Sequence, residues 1–106
     1  MITITAIIRA RPDAAAALQS ALEAHADYVR AHEPTTLGFY VCRDLDEPHV
    51  LTTYERFADR AAMDLHNSSE STARFFAKAK PLLDGPVILH TCEEVAAISR
   101  KGSDAT

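Results

Sequence analysis

Glu33-Pro34-Thr35-Thr36-Leu37-Gly38-Phe39-Tyr40 joins a helix to a strand. The residue before a proline is pushed out of the α region, so Glu33-Pro34 is a helix stop. Leu37, Phe39 and Val41 then alternate with Gly38, Tyr40 and Cys42, the period of a strand. Asp44-Leu45-Asp46-Glu47-Pro48 is turn chemistry. His49 to Phe57 follows as a second strand. It sets Val50, Thr52, Tyr54 and Arg56 on one face and Leu51, Thr53, Glu55 and Phe57 on the other. Two strands around a short acidic turn predict an antiparallel hairpin.

Upstream, Ile2, Ile4, Ala6 and Ile8 alternate with Thr3, Thr5, Ile7 and Arg9, a half-buried strand rich in β-branched residues. Pro12-Asp13 opens a helix. Ala14 to Ala31 carries strong helix formers with a stripe of Leu18, Leu22, His25, Val29 and His32 at spacings that keep one face toward a core. Downstream, Asp59 starts a short helix with Ala58, Ala62 and Leu65 as its apolar positions and His66 beside them. A Ser-rich break at Asn67–Ser69 leads to another helix with Phe75, Phe76 and Ala79 at its core, ended by Pro81 and Gly85-Pro86. Val87 to Val95 is a fourth strand.

The order β-α-β-β-α-α-β is βαββαβ with a split second helix. It predicts an α+β, ferredoxin-like domain with a four-stranded antiparallel sheet over residues 1–98 and a flexible tail over 99–106. Helices cover one sheet face. The other is expected to be covered by a second copy, giving a homodimer.

The 106 residues suffice for one domain. A net charge of −4 and no basic patch argue against nucleic acid. No apolar run reaches membrane-spanning length. The N-terminus reads as a strand and not as a signal peptide, so the expected location is the cytoplasm. Cys42 and Cys92 form no CxxC pair and are expected to be small buried residues in strands. The five histidines show no HxH, HxxxH or HExxH spacing, and no GxGxxG, P-loop or GxSxG occurs. No metal, flavin or nicotinamide is therefore expected.

The chain resembles the antibiotic biosynthesis monooxygenase family of small dimeric α/β-barrel proteins, which includes quinol monooxygenases. The resemblance runs through Glu33-Pro34 with Phe39, Arg43-Asp44 with Pro48, and Tyr54-Glu55 with Phe57, Asp59, Ala62, His66 and Ser69. It spans residues 2 to 95. Thr35 stands where the family usually has glycine. The family's haem-degrading branch uses Asn, Trp and His. This chain has no Trp, carries His66 at the Trp position and Phe76 near the His position, so haem is not an expected cofactor.

The resemblance places His66 at the pocket end of the short helix, where an imidazole can accept a phenolic proton. As a side chain of modest size, its removal is expected to leave folding little affected. His25, on the stripe facing the sheet, is the second catalytic candidate. Tyr28, Tyr40 and Tyr54 supply phenols that can orient a polar ring substituent, and with Phe76 they form the expected substrate contacts. Adjacent strand residues face opposite ways, so Tyr54 and Glu55 cannot share one pocket. Glu55 is expected in a buried network at the dimer interface.

The expected function is that of a monooxygenase without cofactor, oxidising a small aromatic such as a quinol or an anthrone-like polyketide with O₂. An isomerase working on a small carbonyl metabolite through the same histidines is one alternative. A non-catalytic dimeric barrel that binds a hydrophobic molecule is the other.

Overall fold

The computed structural model describes residues 1–100, so most of the expected tail lies outside the described residues. Strand β1 (Ile2–Arg9) leads through one 3₁₀ turn, Pro12–Ala14, into helix α1 (Ala15–His32). Strands β2 (Thr36–Arg43) and β3 (Val50–Phe57) form the hairpin. Helices α2 (Arg60–Asn67) and α3 (Glu70–Ala79) and strand β4 (Ile88–Glu93) complete the chain. Pro34 ends α1 as expected, with Glu33 as its C-terminal cap donating its N–H to the Val29 carbonyl at 2.9 Å. Asp59 caps α2 by accepting from the Ala62 N–H at 2.8 Å, and Ser69 caps α3 by accepting from the Thr72 N–H at 3.1 Å. Each such cap contributes about 1 kcal/mol. Gly85 turns the chain toward β4 with φ +95°, a conformation that favours glycine.

The four strands run antiparallel in the order β2-β3-β1-β4, the ferredoxin-like arrangement. Register sets the faces. Ile4 lies opposite Glu55, Ala6 opposite Thr53 and Ile8 opposite Leu51, while Phe39 lies opposite Glu55 from the other side. These residues share the face beneath the helices, with Phe57, Leu51 and Ile4 essentially inaccessible to solvent. Burying each such side chain contributes about 1.5–3 kcal/mol. A bulge between Thr36 and Gly38 adds one residue to β2, so Thr36 and Phe39 both reach the helical side.

Glu55 therefore lies under the helices and not on the outer face where a second copy was expected to meet it, because it alternates in step with Leu51 and Phe57. The buried stripe of α2 is Ala62, Met63 and His66; Leu65 is exposed, since the helix rotates His66 inward. Cys42 and Cys92 are exposed, contrary to expectation, because both sit on the sheet face that carries no helix. Tyr40, Tyr54 and Ile88 are exposed on that same face.

Candidate active site

Between the sheet and the helices lies a cavity of about 200 Å³. Its floor is Ile4, Ala6 and Ile8 of β1 with Thr53 and Glu55 of β3. Leu22 and His25 come from α1, His66 from α2, and Phe75 and Phe76 from α3. The lining is mostly apolar, and the polar groups, Thr72 of α3 among them, converge from four different elements.

His66 sits in the last turn of α2 with only 4% of its side chain exposed. Its Nδ1 lies 2.6 Å from Glu33 Oε1 and its Nε2 3.2 Å from Glu55 Oε1. The helix stop delivers Glu33, and the strand alternation delivers Glu55. Thr36 donates its hydroxyl to Glu33 Oε1 at 3.0 Å, and Thr53 donates to Glu55 Oε2 at 2.8 Å. The other oxygen of Glu33, Oε2, is buried and has no partner among the described residues. A carboxylate at each ring nitrogen is satisfied only by an imidazole that donates from both. Burial by itself lowers the pKa of His66. The hydrogen bonds to Glu55 and Glu33 outweigh it and hold His66 above its ordinary value of 6.5.

His25 projects from α1 into the same space, 5.5 Å from the His66 ring centre. It stacks on Phe75 at 5.3 Å and meets Phe39 edge-on at 5.3 Å. Its Nδ1 is 2.9 Å from Ser71 Oγ of α3. Its Nε2 has no hydrogen-bond partner among the described residues and is not sealed by protein atoms. Burial, reinforced by the charge of His66, lowers its pKa; Glu33 and Glu55 pull weakly the other way. The environment thus favours the neutral form of His25 and the charged form of its neighbour. Two histidines in one pocket, with pKa values pushed apart, can divide the work of proton transfer and charge stabilisation.

Of the residues singled out from the sequence, His66, His25 and Phe76 line the cavity. The three tyrosines do not. Tyr40 and Tyr54 stack on each other, 6.0 Å between ring centres, on the opposite sheet face. Tyr28 lies on the outer side of α1, stacked on His32 at 4.3 Å. Sequence reasoning missed Glu33, Glu55 and Ser71 as parts of the site. For Glu55 a signal existed: a carboxylate on the same strand face as Leu51 and Phe57 must find a buried partner. Glu33 was read only as punctuation, and Ser71 carried no signal in the sequence.

A sheet roofed on one side, over a mostly apolar cavity that ends in a buried Glu–His–Glu cluster, defines a small ferredoxin-like α+β protein with an internal polar site. Residues 1–78 match the family model of antibiotic biosynthesis monooxygenases, and the chain belongs to that family. Among solved structures it is similar to Rv0793 of Mycobacterium tuberculosis, at 26% identity and TM-score 0.85, covering 92% of this chain and 98% of that one. It is also similar to PA3566 of Pseudomonas aeruginosa, at 28% identity and TM-score 0.80, covering 90% and 94%. A structure described as an antibiotic biosynthesis monooxygenase shares the fold at 21% identity, with TM-score 0.83 over 91% of this chain and 100% of that chain. No curated protein matches the chain. No helix among the described residues is long and apolar enough to cross a membrane.

Proposed function

We propose that this protein is a monooxygenase that needs no cofactor and oxidises a single-ring phenol or hydroquinol. The observation that carries this reading is His25, which lines a mostly apolar cavity and whose Nε2 has no hydrogen-bond partner among the described residues. The size of the cavity supports one ring. An engineered apolar cavity of about 150 Å³ holds benzene. A space of about 200 Å³ suits a hydroxylated ring better than the three fused rings of an anthrone.

In this mechanism His25 takes the phenolic proton at Nε2. The resulting phenolate, held in a mostly apolar pocket, transfers an electron to O₂. The radical pair couples at a ring carbon to form a peroxide, which loses water to leave a hydroxyquinone. Hydroquinol plus O₂ gives hydroxyquinone plus water, so the substrate itself supplies all the electrons. The protein contributes orientation, desolvation and charge. His66 has no free lone pair, because each of its nitrogens faces a carboxylate. The role of base therefore moves from His66 to His25, and His66 holds the cavity wall and its charge pattern in place.

We further propose that a second copy covers the open sheet face. The exposed Tyr40, Tyr54 and Ile88, with Val95 and Ile98 just beyond β4, support this. Oxygen uptake with a panel of one-, two- and three-ring quinols tests the function. Uptake that favours single rings is expected. Proton exchange at a carbonyl substrate without oxygen uptake would instead establish an isomerase.

A further inference from the structure

His25 belongs to two spaces. One is the inner cavity. The other is an open groove between α1 and α3 on the outer surface, where Tyr28, Arg74 and Lys78 stand. Ser71 lines only that outer groove, and it is the partner of His25 Nδ1. His25 and Ser71 are both buried, and together they form the wall between the two spaces. The ring thus borders both spaces, with Nδ1 against the hydroxyl that lines the outer one.

This matters because a proton taken from the substrate cannot rest on His25. A charged His25 would lie 5.5 Å from the His66 ring, which two carboxylates keep protonated. The cavity side is lined mostly by apolar side chains and is filled by the substrate when the proton is taken. On the far side a hydroxyl stands directly at Nδ1, in a groove open to solvent.

We infer that Ser71 is a positioning and proton-relay residue that passes the substrate's proton from His25 to solvent in the α1–α3 groove. The step balances. Nε2 gains the phenolic proton, Nδ1 gives its proton to Ser71 Oγ, and the Ser71 hydroxyl proton leaves to solvent. When the peroxide loses water it takes the Nε2 proton, and Nδ1 regains a proton from solvent through Ser71, so the starting tautomer is restored and no net proton is released. In this relay Ser71 accepts Nδ1–H, which leaves the lone pair on Nε2. This inference rests on His25 being the base, as set out above.

Two measurements on the intact protein test it. The first needs no turnover. Nitrogen-15 NMR of the histidine rings should find His25 as the Nδ1–H tautomer in the native protein, with the Nε2–H tautomer gaining in Ser71→Ala. The Nε2–H tautomer in the native protein overturns the relay whether or not a substrate is known. The second is oxygen uptake with a single-ring hydroquinol. Ser71→Ala should lower kcat about tenfold or more, the lower part of the span for lost proton-transfer help, with KM nearly unchanged. Added imidazole buffer should restore the rate of Ser71→Ala without affecting the native protein, and Ser71→Thr should retain most of it. Native turnover in Ser71→Ala, or a loss that buffer does not relieve while the fold is intact, overturns the relay. Native protein that consumes no oxygen refutes the monooxygenase reading and leaves the NMR result to judge the relay.

Discussion

Replacing His66 with alanine should cost far more stability than the removal of one imidazole suggests. The side chains of Glu33 and Glu55 are only 10% and 9% exposed, and His66 is the cation between them. Without it, two carboxylates face each other across an emptied space. Thr36 and Thr53 each give one hydroxyl, and Glu33 Oε2 already lacks a partner among the described residues. Removing one partner of a buried ion pair costs about 3–5 kcal/mol, chiefly because the other charge is left uncompensated. For a domain near 100 residues, about 1 kcal/mol lowers Tm by about 4–8 °C, so Tm should fall by upwards of about 12 °C. The expectation that this substitution spares the fold is thus reversed by the burial of the cluster. Thermal and urea unfolding of His66→Ala near pH 6.5 measures the effect. Adding Glu33→Gln and Glu55→Gln to His66→Ala should recover part of the loss, since those changes remove the stranded charges. A cost below about 1 kcal/mol, the level of an exposed pair, would refute the claim that this cluster is a buried charge network.

Stability should also depend on pH in two directions around 6.5. Below 6.5 the unfolded chain protonates His25 while the folded protein resists, so stability falls as pH drops through the depressed folded value. Above 6.5 the folded protein keeps the His66 proton that the unfolded chain has released, so stability falls as pH rises through the elevated folded value. A Tm profile of the native protein and of His25→Gln checks this, since the variant should lose the histidine part of the acidic slope and keep the alkaline one. Ala6→Ile should fill the cavity floor, leave Tm unchanged or higher, and abolish calorimetric binding of single-ring phenols; retained binding would place the ligand elsewhere. Tyr54→Phe should leave oxygen uptake unchanged, because Tyr54 lies across the sheet from the cavity. Tyr40→Ser with Tyr54→Ser should shift sedimentation toward monomer if that face meets a second copy.

The order of elements was legible because local signals agreed with one another. Pro34 ended α1, the acidic turn closed the hairpin, and period-two alternation marked each strand. His25 was legible as well, since the stripe from Leu18 to Val29 aims it at the sheet. The bulge at Thr36–Gly38 was not, because a single inserted residue leaves no mark in an alternating pattern. The charge network was hidden for a related reason. Glu33, Glu55 and His66 lie on three elements far apart in sequence, and only strand register and helix rotation bring them within hydrogen-bond distance. The tyrosines misled because a phenol reads as a candidate ligand contact wherever it occurs. Their face is set by the parity of neighbours such as Leu51 and Phe57, whose burial fixes which way the strand points.

Oxygen consumption by the native protein and by His25→Gln, each given a single-ring hydroquinol, tests the central claim most directly. The account predicts stoichiometric formation of hydroxyquinone by the native protein. It also predicts a fall in kcat of about 10²–10⁴-fold for His25→Gln, the range for losing a general base, with the variant still folded and still binding the phenol. Turnover in His25→Gln equal to that of the native protein would contradict it, as would a native protein that binds the quinol and leaves oxygen untouched.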